Sequence, residues 1–303
     1  MTPPTPRAGA AARLADPITY LCLITVNLIW GAAYLVIAVA LRSFTPLALT
    51  GVRLALSTVF LWLYARWSGE RIAVARGDHL ALFGLGFLLN TVFQVCLNAA
   101  LNHTTPSHAS LGVATMPIFT ALFAWWFVGE RLSPARLGAI LMAFVGVVII
   151  IVGGQGLGDA RGTFLGDALA LGTAVTWALG SVLSKPFLRR YSPCVFSVLT
   201  LAAGAVTAVP FVARDLVKTA WGAVTPGGWL ALLYLAAFSM AAAWVLWNRG
   251  ISRVDVAQAA IFSNLSPVVT LLLSAILFGE ALTLPLVTGG ALVIAGAYLT
   301  QRT

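Results

Sequence analysis

The chain has 303 residues, 60% of them hydrophobic and 9% charged, with a mean hydropathy of +0.96 and a formal net charge of +9. A soluble domain usually carries about 25% charged residues, so this composition excludes an ordinary water-soluble fold and makes lipid the solvent. No basic cluster is dense enough to track phosphates, so nucleic acid is excluded as a partner and the positive charge reads as membrane topology.

The first seventeen residues, MTPPTPRAGAAARLADP, are rich in Pro and Ala and predict a disordered tail over 1–17. The apolar stretch behind them is too long for a signal-peptide core and is only the first of many, so no cleaved leader is expected. A helix needs about 20 apolar residues to cross the hydrocarbon layer. Arg, Pro and Gly clusters divide the chain into ten such segments, at 18–41, 46–65, 79–101, 107–128, 136–153, 164–185, 193–213, 227–249, 256–278 and 285–301. Most are apolar all round and lack period-2 alternation, which predicts an all-α bundle of ten transmembrane helices rather than a barrel.

Polar side chains inside these spans mark a cavity or a helix contact, because lipid offers them no partner. On the first span Asn27, Trp30 and Tyr34 share a face. Arg53 is the one basic residue well inside a span, where a cation needs a partner, a set of carbonyls or water. On the third span Asn90, Gln94 and Asn98 recur every four residues and form a polar ladder, whose amides suit a polar or zwitterionic ligand or, alternatively, interhelical hydrogen bonds. His108, at the start of the fourth span, is the candidate for proton coupling or else a satisfied boundary histidine. The sixth span offers Trp177 and Ser181, with Ser184 a turn beyond. The eighth offers Trp244 and Asn248, and the ninth offers Asn264 beside Ser266-Pro267. None of the nine acids lies at the middle of a span. Cys22, Cys96 and Cys194 lack any CxxC spacing, and the three histidines lack metal-ligand spacing, so no metal or cofactor is expected. A GxxxxGK[ST] sequence is also missing, which disfavours ATP-driven chemistry by this chain alone.

The second half repeats the first. Trp30, Arg42 and Pro46 match Trp177, Arg189 and Pro193 at an offset of 147, while Asn98, Pro117, Gly129-Glu130 and Gly146 match Asn248, Pro267, Gly279-Glu280 and Gly296 at an offset of 150. This predicts a first five-helix repeat over 18–153, a Gly-rich linker over 154–163 and a second over 164–303. Five is odd, so the second copy lies inverted. With both termini inside, thirteen basic residues fall in inward segments and four (Arg42, Arg161, Arg214 and Lys218) in outward ones, leaving Arg53 in its span. Glu130 and Glu280 then lie at opposite membrane surfaces, too far apart for an acid/base pair. They mark a hinge and the repeat, with Gly able to end each helix.

The segments NLIWGAAYLVIAVAL and FTPLALTGVRLAL in 27–56, and the long Pro-to-Gly-Glu runs at 106–130 and 257–280, resemble the drug/metabolite transporter superfamily, specifically its EamA-type ten-span carriers. The resemblance covers nearly the whole chain after the tail. It implies a carrier, often an exporter, of amino acids or related small metabolites, working around a central cavity. It also places an arginine at this part of the second span, which gives Arg53 the role of a structural clamp or a carboxylate-binding residue. The inverted repeat independently fits alternating access. The resulting expectation is a multi-pass protein of the cell inner (plasma) membrane that transports a small-molecule substrate, with the lipid bilayer as its other partner and a monomer compatible with the sequence. The alternatives are a membrane-embedded enzyme, for which no clustered nucleophile or acid pair is visible, and a non-transporting membrane scaffold.

Overall fold

The computed structural model describes residues 17–128, 133–153, 160–251, 262 and 265–302, all as helices and the turns that join them. In chain order the rods are α1 (Pro17–Ala40), α2 (Pro46–Trp67), α3 (His79–His103), α4 (Pro106–Phe127), α5 (Pro134–Gly153), α6 (Ala160–Leu188), α7 (Pro193–Lys218), α8 (Pro226–Leu233, continued through Tyr234–Ala242 and Ala243–Ile251), α9 (Leu265–Phe278) and α10 (Leu284–Arg302). No strand occurs among the described residues.

Helix starts follow one local rule. Thr45-Pro46, Thr105-Pro106, Ser192-Pro193 and Thr225-Pro226 each place a hydroxyl cap before a first-turn proline. Each hydroxyl accepts from a backbone N–H three residues on, at 3.1–3.3 Å. Ser133 does the same for Arg136 N at 3.1 Å. At the other end of α9, Gly279 takes φ +66°, the left-handed conformation that closes a helix, and the Glu280 N–H reaches back to Ser274 O.

Seven helices among the described residues are long and apolar enough to cross a membrane: α1, α2, α3, α4, α6, α7 and α8. The apolar parts of α5, α9 and α10 are shorter, at Pro134–Ile150, Leu265–Phe278 and Leu284–Leu299. A 14-residue rod such as α9 spans about 21 Å, short of a hydrocarbon layer of about 30 Å.

The rods pack in recurring pairs: α1 on α9, α4 on α6, α3 on α7, α8 on α2, and α5 along α10. Small residues set the closest contacts. A Cβ added to Gly146 would lie 2.6 Å from Gly289 O, and one added to Gly296 would lie 2.6 Å from the Ala143 Cβ. The α5–α10 seam is therefore backbone against backbone, which is how helices associate where water supplies no driving force.

Polar contacts collect at the two ends. At one end Ser43 meets Thr225, Thr45 donates to Asp215 at 2.5 Å, and Arg42 lies over the Phe278 ring. Close by in sequence to Phe278, Glu280 accepts from Thr105, Ser107 and Ser274. Elsewhere, the α2–α3 connection meets the α6–α7 connection through Asp78, Arg190, Tyr191, Glu70 and Ser192. Glu130 and the linker residues 154–159 lie outside the described residues.

Candidate functional site

Two helices change pitch at repeat-related positions. Phe87–Val92 of α3 and Tyr234–Ala242 of α8 are π-helical, and the matching residues stand 150 apart over 87–92 and 237–242. A π turn widens the helix and frees a backbone carbonyl, a feature common at functional sites. Here it does both. The Ser239 carbonyl accepts from Trp30 Nε1 at 3.1 Å, across to α1. Asn90 and Gln94, on either side of the end of the π turn, both stay on the cavity side of α3.

Inside the bundle lies a cavity of about 150 Å³. That is room for on the order of ten water molecules. Its walls come from α1, α2, α3, α4, α6, α8 and α9, so both halves of the chain contribute. Four indoles dominate: Trp30, Trp177, Trp244 and Trp247. Trp244 stands between Trp177 (ring centroids 5.2 Å apart) and Trp30 (6.4 Å), while Phe93 packs on Trp177 at 5.2 Å and Trp247 on Trp30 at 5.4 Å. These separations fall in the range preferred by interacting aromatic pairs. The repeat-related Trp30 and Trp177 thus approach each other from the two halves with Trp244 between them.

Arg53 reaches the same cavity from α2 and is only 3% exposed. Its Nη1 donates to Gln94 Oε1 at 2.9 Å and its Nη2 to Ser239 Oγ at 3.1 Å, while Nε has no partner. Gln94 also directs its amide nitrogen at Met240 Sδ, 3.8 Å away. Asn27 donates to Leu23 O at 2.8 Å, and its buried Oδ1 is unpaired. Asn90 lines the cavity while donating to Thr200 O on α7 at 3.0 Å.

The sequence-derived residues therefore divide. Asn27, Trp30, Tyr34, Arg53, Asn90, Gln94, Trp177 and Trp244 all border the cavity. Asn98 turns away and donates to Thr50 Oγ1 on α2 at 2.8 Å. Ser181 is half-buried on α6 and is not among the lining residues, and Ser184 bonds back to Gly180 O within its own helix. Asn264 and the side chain of Asn248 lie outside the described residues. His108 sits away from the cavity, with Nδ1 3.2 Å from Asp167 Oδ2, and Asp167 also accepts from Thr104 at 2.8 Å. Sequence reasoning missed Ser239, Trp247 and the Asp167 partner. A lone serine in the apolar run AAFSMAAAW carried the first signal.

A family model described as the EamA-like transporter family matches residues 17–152 and again 164–302. The chain belongs to the EamA-like transporter family. This EamA-like protein is accordingly a membrane transporter and not an enzyme. It is 29% identical over 288 residues to an "Uncharacterized transporter" of Archaeoglobus fulgidus, covering 93% of this chain and 96% of that one. It is 30% identical over 274 residues to a "Probable terminal-alkyne amino-acid exporter" of Streptantibioticus cattleyicolor, covering 90% of each. A protein of known crystal structure superposes with a TM-score of 0.66 at 24% identity, over 93% of this chain and 95% of its own, a likeness of fold.

Proposed function

We propose that this EamA-like transporter is a secondary carrier that exports or exchanges small metabolites such as amino acids across the cell inner membrane by alternating access. One observation carries the reading: a central cavity is walled by indoles from both halves of the chain, with Trp30 from the first and Trp177, Trp244 and Trp247 from the second. A site shared between two bundles can be exposed to one side and then the other as the bundles rock. The exporter of Streptantibioticus cattleyicolor supports the amino-acid class by its name.

The same proposal has ten crossings in two inverted five-helix repeats, over 18–153 and 164–303, with both termini inside. Three features support it. The family model matches once in each half. The helix pairs α1–α9 and α6–α4 are repeat counterparts, as are α3–α7 and α8–α2. The loops that touch, such as α1–α2 with α7–α8 and α2–α3 with α6–α7, are those that an alternating path puts at a common end. Arg189 and Arg190 then face the cytoplasm.

Purified protein in liposomes preloaded with unlabelled compound should accumulate labelled members of an amino-acid panel by counterflow. Uptake no faster than in protein-free vesicles across the panel refutes the amino-acid carrier. Arg190→Cys and Lys218→Cys should label from opposite faces, and labelling from one face refutes the topology.

A further inference from the structure

We infer that Arg53 is the receptor for a carboxylate on the transported molecule, and that Asn27 Oδ1 accepts a hydrogen bond from its ammonium group. This rests on the carrier reading above and adds which residue reads which part of the ligand.

The starting point is an unbalanced charge. A guanidinium inside a bilayer-spanning bundle is costly and is found paired with an acid, with carbonyls or with water. Arg53 is buried, yet its two protein partners, Gln94 and Ser239, are both neutral. Among the described residues Arg190 pairs with Asp78, and His108 Nδ1 lies 3.2 Å from Asp167 Oδ2, both near rod ends and neither involving Arg53. Gln94 and Ser239 orient the guanidinium without neutralising it.

The hydrogen-bond inventory leads to the same place. Arginine has five N–H donors and no acceptor. Two are used here, and Nε has no partner at all. The guanidinium is fixed by Gln94 and Ser239, and its unpartnered Nε–H is shut off from the free space of the cavity, so a carboxylate takes the planar, two-point grip once a neighbouring side chain gives way. An arginine with a purely structural role would have no reason to leave Nε–H unbonded beside a cavity. The repeat counterpart of Arg53 is Thr200, whose hydroxyl bonds back to Phe196 O in its own helix at 2.9 Å. The charge therefore serves no purpose that the second half also needs.

Asn27 supplies the complementary atom. Its Nδ2 is committed to Leu23 O, which fixes the amide orientation and leaves Oδ1 as the unpaired acceptor on a fully buried side chain that borders the same cavity. Asn98 Oδ1 is unpaired as well but does not line the cavity, whereas at Asn27 the cavity can supply the missing donor, and an ammonium is one. The indole faces between these groups attract a cation and cover an apolar or aromatic side chain. One free donor edge, one free acceptor and an indole wall together describe a small zwitterion with an apolar side chain.

The test uses the intact protein and two series of measurements. In counterflow and in thermal stabilisation, L-leucine and L-phenylalanine are compared with their amides, with phenethylamine and with N-acetyl-L-phenylalanine. The amides and the amine should compete at least tenfold more weakly than the acids, and the N-acetyl compound should be weakened too. Gln94→Glu places a carboxylate where Oε1 now meets Nη1, neutralising Arg53 from within. This variant should remain monodisperse and as heat-stable as the parent, while leucine and phenylalanine counterflow falls at least tenfold.

The assignment is overturned if the amides match the acids in the parent protein, a measurement that needs no variant to fold. It is equally overturned if Gln94→Glu leaves the acids' kinetics unchanged. Amines or amides moving as well as acids would remove the Arg53 role and leave the carrier intact. If no compound in either series moves or stabilises, the amino-acid carrier itself fails.

Discussion

Gly86 offers a sharp test of how packing holds the cavity. It faces α7, where a Cβ would lie 2.5 Å from the Ala203 Cβ and 2.6 Å from Thr200 O. Carbon atoms rest comfortably at about 3.5 Å or more. Gly86→Ala therefore requires α3 and α7 to part by about 1 Å, because the obstacle is backbone and a short side chain. Such overpacking costs about 1–3 kcal/mol. The same shift stretches the Asn90–Thr200 bond (3.0 Å) and the Thr91–Gly204 bond (2.8 Å), each worth about 0.6 kcal/mol and at most about 1.7 kcal/mol between membrane helices. Alanine's better helix propensity offsets about 1 kcal/mol, leaving a net loss of about 1–5 kcal/mol. Gly84, on the same helix, has nothing within 4 Å of an added Cβ, so Gly84→Ala feels the propensity term alone. Unfolding in mixed micelles should show the loss for Gly86→Ala and none for Gly84→Ala. Counterflow KM should rise only for Gly86→Ala, since Gln94 lies two turns on and moves with α3. Equal behaviour of the two variants would refute the reasoning.

Two further outcomes follow from contacts outside the indole wall. Asn98→Ala should cost about 0.6–1.7 kcal/mol by losing the Thr50 bond while leaving KM unchanged, whereas Gln94→Ala should raise KM. A KM rise in both would return Asn98 to the cavity wall. Asp78→Asn weakens a pair whose Arg190 side chain is 61% exposed, so its worth is below about 1 kcal/mol. Amide exchange over residues 70–78 should quicken by at most about fivefold, and a larger change would mean that this contact holds the whole end shut.

The all-helical architecture and the membrane setting were legible because lipid demands long, uninterrupted apolar runs, and the Ser/Thr-Pro starts punctuate them; of the ten spans expected, seven of the described helices are long and apolar enough to cross. The wall indoles were legible through the repeat, since Trp30 and Trp177 occupy equivalent places. The ladder on α3 was legible only in part. Asn90 and Gln94, on either side of the end of the π turn, both border the cavity, whereas Asn98, one regular α-helical turn beyond Gln94, bonds to Thr50 on α2. Nothing in FLLNTV announces a π turn, because that pitch is imposed by packing against α7 rather than by local preference. Ser239 and Asp167 were missed for a related reason: each gains its meaning from a partner 186 or 59 residues away.

The acids complete the physical picture. Each of the five described acids, Glu70, Asp78, Asp167, Asp215 and Glu280, accepts from a residue in the opposite half of the chain. Most of those donors are hydroxyls, which exchange readily with water, so each contact contributes only about 0.5–3 kcal/mol net. The α5–α10 seam is different in kind: Gly146 and Gly289 bring the two backbones together there, and Val147, Ile150, Leu286 and Val293 pack around them. The proposed alternating-access carrier uses this contrast, with weak, wettable contacts at the rims and a close-packed seam between them. Among the described residues Arg53 is the basic side chain buried well inside a span, and in the proposed carrier a ligand bearing its own carboxylate balances it without drawing on the acids that hold the ends.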